Sequence, residues 1–552
     1  MKNLSLLIIV LFYFSSQSIC QNIPKNWHLL DAKEDSFYGI SLHKAYHFLE
    51  SKKLKSKPII VAVLDSGIDT LHEDLKDILW KNSKEISNNG IDDDGNGYVD
   101  DVYGWNFLGN ANGKNLTRTT NEKTRIYYKY KNKFSSPEFD SSTLNKADLE
   151  LYKTWKKTSN ELKFTTESEV EILLIEMTVK ALKNYDEIIK KEIGKVEYTA
   201  LDLEKFEPKT KEGKQSKFNY LTSIRILEID LEEKNTTLIS QLEEYVNQKK
   251  FEIEVREHEP ENQRSLIIND DYNNINDKFF GNSNVQAIDP KHGTHVSGLI
   301  AAERNNNKGV DGIADNAKIM ALRVVPDGDE YDKDIALGIF YAVDNGAKII
   351  NMSFGKSYSP EKFWVDSAVK YAAAKDVLII HAAGNDSKNI DSLDNFPCAQ
   401  FLDKKDYAKN YITVGASTDP SFSTGSYIAD FSNYGKNNVD VFAPGVKIYS
   451  TVPNINGYER LQGTSFSAPI VSGIAALLRS YFPTLTAIQT KQIIESTVSI
   501  PKYEKGTSII IHNSSLPTQL KDACKTGGIV NAAKAVEYAF KIEQLINNKK
   551  KY

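Results

Sequence analysis

The sequence predicts an α/β fold with a mostly parallel central sheet flanked by helices and a mainly α-helical insertion. Three observations predict it. Short apolar runs, each followed by a small or polar residue, recur along the 552 residues, helical stretches alternate with them, and residues 121–260 differ in composition from the rest.

The apolar runs are PIIVAVLDSG (58–67), KIMALRV (318–324), AKIINMSFG (347–355), DVLIIHAAGN (376–385), YITVGAS (411–417) and VDVFAPG (439–445). A strand wetted on one face alternates apolar and polar residues. These runs do not alternate, so both faces are covered, as in a parallel sheet. Between them, KDIALGIFYAVDNG and EKFWVDSAVKYAAAKD space their apolar residues for helices packed on that sheet. Loops at the carboxyl ends of such strands gather chemistry, and Asp65, Ser353 and Asn385 each stand at such an end.

Residues 121–260 hold 25 basic and 28 acidic residues with only two glycines and three prolines, which points to solvated helices. Val170, Leu173, Leu174, Met177, Ala181, Leu182, Tyr185, Ile188 and Ile189 keep helical spacing, and Gly194 offers a stop. Leu231, Leu238, Leu242, Tyr245 and Val246 mark a second amphipathic helix. The apolar stripes read as packing faces.

The composition, 40% hydrophobic and 26% charged, suits a large globular core. A net charge of -5 without a basic block argues against a nucleic-acid partner. Residues 1–20 carry Lys2, an apolar run over 4–14 and the closing residues Ser18 and Cys20, the pattern of a secretory signal peptide. The rival, an outer-membrane lipoprotein anchored at Cys20, would require a small residue where Ile19 stands. No later run is long enough for a transmembrane segment, so the expected location is extracellular or periplasmic. After cleavage only Cys398 and Cys524 remain, too few for a disulfide scaffold.

The stretch LQGTSFSAPIVSG (461–473) sets hydroxyl residues before a proline and an apolar run. A serine becomes a nucleophile when a base takes its proton and a third group orients that base. DPKHGTHVSGLIAA supplies His292 and His295, and Asp65 alone ends an apolar strand running into Ser66 and Gly67. In this order, VAVLDSGID, HGTHVSGLIAA and GTSFSAPIVSG resemble the subtilisin-like serine proteases, or subtilases. The resemblance implies the subtilisin-like three-layer fold, with Ser465 as nucleophile, His292 as general base and Asp65 as orienting carboxylate. Pro469 supports Ser465 over Ser467, because proline is tolerated near a helix start and the helix through 470–478 must then begin close to Ser465.

HAAGND resembles the family's oxyanion segment, which makes Asn385 a donor to the tetrahedral intermediate. NMSFG resembles the strand that pairs with substrate, with Ser353 and Gly355 beside the primary specificity pocket and Ala383 and Gly384 on its other wall. Polypeptide substrates would bind as an added extended strand. His295 resembles a structural histidine and is given no proton transfer.

NNGIDDDGNGYVDDVYGW places Asp92, Asp94, Asn96 and Asp100 at alternating positions, an oxygen-ligand spacing that suggests a structural calcium ion. Tyr103 stands where a helix-loop-helix calcium loop has its bidentate glutamate. Asp74 and the asparagines at 305–307 also fall where some subtilases bind calcium. No catalytic cofactor is implied.

The expected organisation is a signal peptide (1–20), a short N-terminal segment (21–36), the catalytic domain in two parts (37–110 and 281–545), a helical insertion (111–280) and a basic tail (546–552). The insertion explains the 226 residues between Asp65 and His292. It reads as a lid, an exosite, an arm for a protein partner or a surface ornament. The segment after the signal peptide is too short for an inhibitory prodomain, and the insertion is a candidate to assist folding in its place. The expected activity is peptide-bond hydrolysis by a secreted serine endopeptidase; the rival is an inactive binding scaffold.

Overall fold

The computed structural model describes residues 23–136, 139–162, 166–227, 229, 231–423, 425–454, 456–502 and 519–549. The expected signal peptide with Cys20, and residues 550–552 of the tail, lie outside the described residues. The chain opens with α1 (Leu42–Ser51), β1 (Ile59–Asp65) and β2 (Gly104–Asn106). Six helices follow: α2 (Glu122–Phe134), α3 (Lys146–Glu161), α4 (Thr166–Ile193), α5 (Ala200–Lys205), α6 (Lys211–Ile226) and α7 (Asn235–Glu257). Next come α8 (Gln263–Ile267), α9 (Lys291–Ala301), β3 (Ala317–Arg323), α10 (Asp332–Asp344), β4 (Ile349–Met352), α11 (Lys362–Ala374), β5 (Leu378–Ala382), β6 (Tyr411–Ser417) and β7 (Val441–Pro444). The hairpin β8 (Ile448–Val452) and β9 (Gly457–Leu461) leads into α12 (Thr464–Tyr481), α13 (Ala487–Ser496), α14 (Leu520–Ala523) and α15 (Ala532–Lys549), so the basic tail begins inside a helix.

Two compact units emerge: 1–122 with 262–552, and 123–261. In the first, seven parallel strands run in the order β2-β3-β1-β4-β5-β6-β7. The six apolar runs became β1 and β3 to β7, and β2 is a three-residue edge strand they did not announce. Alternate residues serve opposite faces: Val61 and Val63 belong to the core shared with α9, α12 and α15, while Ala62 and Leu64 belong to the core shared with α10 and α11. Both faces are dry, hence no polar alternation. The chain leaves β1 for the edge strand β2, returns through β3 beside β1, then passes to β4 on β1's other side. The strand order therefore reverses around β1, and the reversal opens a crevice at its carboxyl end. Asp65 sits there, opposite Arg323 in register.

The helical unit has its own core, with Leu182, Ile189, Tyr198, Leu203, Tyr220, Ile224 and Leu238. Gly194, at φ +71°, follows the last residue of α4 as expected. The predicted stripe on α4 is packed only in its second half: Leu182 and Ile189 are buried, but Val170, Leu173, Leu174 and Met177 are all more than half exposed. In the first half the buried positions are instead Ile172 and Val179, which with Leu182 and Ile189 are spaced by seven, three and seven residues, so the packed face there lies beside the expected stripe.

Candidate active site

The end of β1 delivers the carboxylate and the start of α9 delivers the imidazole. His292 Nδ1–H donates to Asp65 Oδ1 over 2.8 Å, and the Ser66 N–H donates to the same oxygen over 2.7 Å. A carboxylate only accepts, so Nδ1 carries the proton and Nε2 is left as a base. Asp65 is 2% exposed, and its Oδ2 is buried without a hydrogen-bond partner among the described residues. The approach of α9 to β1 needs a glycine after the histidine, because a Cβ on Gly293 would lie 2.2 Å from Gly67 O. Burial disfavours the imidazolium of His292, but the charge and hydrogen bond of Asp65 outweigh it and raise the pKa above the ordinary value. Arg323, 3% exposed, braces the turn after Asp65 by donating to Ser66 O over 3.0 Å. His295, three residues along the helix, is buried against Phe466 and donates from Nε2 to the carbonyls of Ile448 (3.1 Å) and Glu459 (3.2 Å). Burial holds its pKa down at about 3.

Ser465 is the second residue of α12, so its N–H has no helical acceptor. The proline argument from the sequence acquires a partner here. Pro469 has no N–H to give the Ser465 carbonyl, and Ser353 Oγ donates to that carbonyl instead, over 2.8 Å. Ser465 Oγ in turn donates to Ser353 O over 3.0 Å and makes no hydrogen bond with His292. The imidazole is nonetheless close to this turn, with its ring 5.4 Å from that of Phe466.

Asn385 is exposed beyond β5, and its Oδ1 accepts from Thr464 N–H (2.8 Å) and Thr464 Oγ (2.9 Å). That fixes the amide so that Nδ2, which has no acceptor among the described residues, is the free end. Thr464 is a site residue the sequence reading passed over, although it adjoins the serine in GTS. Asn433 is another: it donates to Ala383 O over 2.9 Å and accepts from Asp386 N–H over 3.0 Å, bracing the loop. Its signal, an asparagine far along the chain, is illegible without the fold.

Ser353, Gly355, Ala383 and Gly384 fall at the ends of the neighbouring strands β4 and β5. Gly384 has φ +99° and a Cβ there would lie 2.4 Å from Asn433 Nδ2, so glycine is required twice over. Asn395 Oδ1 would lie 3.7 Å from a Cβ on Gly355 and 3.6 Å from one on Gly384, so Asn395 borders both walls. The N–H and C=O of Gly355 have no hydrogen-bond partner among the described residues. Behind the wall, burial holds the His381 pKa down at about 4, and its Nε2–H donates to Phe354 O over 2.7 Å.

In the acidic loop, Asp92 and Asp94 are joined by Glu85, which the spacing argument missed: one oxygen of each lies within 4.8 Å of the others. Asp100 turns away to accept from Asn89 N–H (3.1 Å) and Gly90 N–H (2.9 Å), and Asn96 Oδ1 accepts from Tyr98 N–H over 2.8 Å. Short polar side chains cap nearby backbone, which spacing alone does not reveal. Asp74 accepts from Tyr458 OH (2.8 Å) and Asn306 Nδ2 (2.6 Å). Both Cys398 and Cys524 are free thiols.

With this geometry in place, residues 56–522 match the model of the Subtilase family. The chain belongs to the subtilase family. Among subtilase relatives, the Thermophilic serine proteinase of Bacillus sp. (strain AK1) is 40% identical over 37% of this chain and 46% of that protein. Thermitase of Thermoactinomyces vulgaris is 40% identical over 34% of this chain and 61% of its own length. Subtilisin DY of Bacillus licheniformis is 37% identical over 38% of this chain and 70% of that protein. The matched stretch is thus about half the length of the first of these subtilases.

Proposed function

We propose that this subtilase is a secreted serine endopeptidase that hydrolyses peptide bonds through an acyl-enzyme on Ser465. The observation that carries the reading is the Asp65 to His292 hydrogen bond, which leaves Nε2 free as a base beside the first turn of α12. Rotation of the Ser465 side chain away from Ser353 O would bring Oγ to Nε2; catalytic hydrogen bonds often form only with substrate present. Nε2 then takes the hydroxyl proton as Oγ attacks the scissile carbonyl. The resulting oxyanion receives hydrogen bonds from Ser465 N–H and Asn385 Nδ2, donors positioned before the charge develops. The imidazolium gives its proton to the leaving amine, leaving the acyl group on Ser465. Water repeats the sequence, with His292 again as base and then as acid.

The unbonded N–H and C=O of Gly355 support binding of the polypeptide as an added strand along Ser353 to Gly355, with a side chain entering between Gly355 and the Ala383–Gly384 wall. Glu85, Asp92 and Asp94 offer the all-oxygen donor set that suits calcium. The ion would brace this loop and supply no chemistry to the reaction. The signal-peptide pattern of residues 1–20 supports export.

Labelling with a fluorophosphonate probe tests the reading. The folded chain lacking its leader should be labelled, and Ser465→Ala should not; absence of labelling in well-folded protein would leave the binding-scaffold alternative.

A further inference from the structure

Lys356 directly follows Gly355, and its ammonium, fully buried, is held by three oxygens: Glu122 Oε2 at 2.8 Å, Asp332 Oδ1 at 2.9 Å and Glu330 O at 2.7 Å. A cation in such a place persists only with its counter-charges, and these have a telling origin. Glu122 is the residue at which the chain leaves the α/β unit for the helical one. Asp332 opens α10, and two residues on, Asp334 receives Arg264 over 2.6 and 2.9 Å, just after the chain has re-entered the α/β unit at Asn262. Arg264 and Asp334 are both buried. One helical turn, 332–334, therefore holds the departure and the return of the insertion together with the end of the substrate edge. The backbone of Lys356 closes the arrangement, pairing in both directions with Phe396 at 2.9 Å, next to Asn395 between the pocket walls.

We propose that Lys356 is a positioning residue for peptide binding, held in place by the residues at which the chain departs for and returns from the helical unit, Glu122 above all. The physical reason is that Gly355 lies three residues past the end of β4, where the sheet ladder no longer fixes it. A peptide strand needs the Gly355 N–H and C=O at fixed depth and angle, and the Lys356 ammonium, tied to α10 and Glu122, anchors the following residue. Ser465, His292 and Asn385 are not part of this ionic cluster. Peptide binding and the reactivity of the serine are thus separately adjustable, which rests on the protease reading and gives the test its form.

The full chain without its leader is compared with Lys356→Met, Lys356→Arg and Glu122→Gln in two assays. One measures kcat and KM on a tetrapeptide anilide; the other measures inactivation by diisopropyl fluorophosphate, which needs the serine and its base but no extended peptide. Lys356→Met and Glu122→Gln should raise KM by about tenfold or more while inactivation stays within about threefold, and Lys356→Arg should recover most of the loss. A KM within about twofold of the parent in either folded variant overturns the proposal. A parallel loss of inactivation rate also overturns it, because the cluster would then be holding the whole site. Should Lys356→Met not fold, Glu122→Gln decides, since it keeps the cation and leaves Asp332 opposite it. Failure of the parent chain to react with the fluorophosphate would instead defeat the protease reading.

Discussion

At the scale of single residues, the protonation of His292 decides when the proposed chemistry runs. Its pKa is raised above the ordinary 6.5, because Asp65 outweighs the cost of burying the imidazolium. A raised pKa means the proton is held to higher pH, so the neutral base is depleted first as pH falls. The acid limb of kcat/KM should have its midpoint above 6.5, and Asp65→Asn, which removes the raising charge and leaves the burial, should move it downward. A pH profile on a peptide substrate measures this, and a parent midpoint at 6 or below, on the order of half a unit under free imidazole, would contradict it. His295 and His381, held at about 3 and about 4 by burial, stay neutral across that range and do not confuse the profile.

Among the elements, α12 and β4 are joined by polar groups inside an apolar interface. Ser472 Oγ donates to Asn351 Oδ1 (2.8 Å), Asn351 Nδ2 to Ser353 Oγ (3.0 Å), and Ser353 Oγ to Ser465 O (2.8 Å). The chain of bonds ends at the carbonyl that Pro469 leaves without its helical donor. Proline thus reserves the Ser465 carbonyl for Ser353 and pins the serine's turn to the strand that would hold substrate. Ser353→Ala leaves that carbonyl and Asn351 Nδ2 short of partners, at a cost of about 1–3 kcal/mol. Urea unfolding should show a lower midpoint at unchanged slope; an unchanged midpoint would mean that other groups or water satisfy the same atoms.

At the scale of the whole molecule, the helical unit follows the change of composition at 121–260 and is narrower than the 111–280 expected for the insertion. The helical unit covers 123–261, while Leu116 and Ile268 share a small core with Leu108 and Tyr331 of the α/β unit. Arg264 also belongs there, bound to Asp270 (2.9 Å) and Asp334 (2.6 Å) and lying 4.6 Å over the Tyr331 ring. A chain lacking 123–261, joined by a flexible Gly/Ser linker, should keep a cooperative thermal transition. A chain lacking 111–280 should lose it, because buried Asp334 would lose the guanidinium of Arg264 and buried Lys356 the carboxylate of Glu122, defects worth about 3–5 kcal/mol per broken pair. Circular dichroism melting distinguishes the two, and equal folding of both would show that the roots carry no stability.

Local signals determined much of this. Apolar runs without alternation located six strands, because a strand covered on both faces has no need of polar residues. The family resemblance of three short motifs singled out Asp65, His292 and Ser465 as candidates, and Pro469 placed the helix start, because a missing backbone N–H acts within a few residues. Tertiary structure alone decided the rest. Glu85 beside Asp92, Asn433 behind Gly384, Asn395 between two walls and Glu122 against Lys356 are meetings of residues distant in sequence or separated by a turn. Such meetings depend on where whole strands and helices settle to bury their apolar faces, and a side chain's neighbours across that packing leave no periodic trace in its own segment.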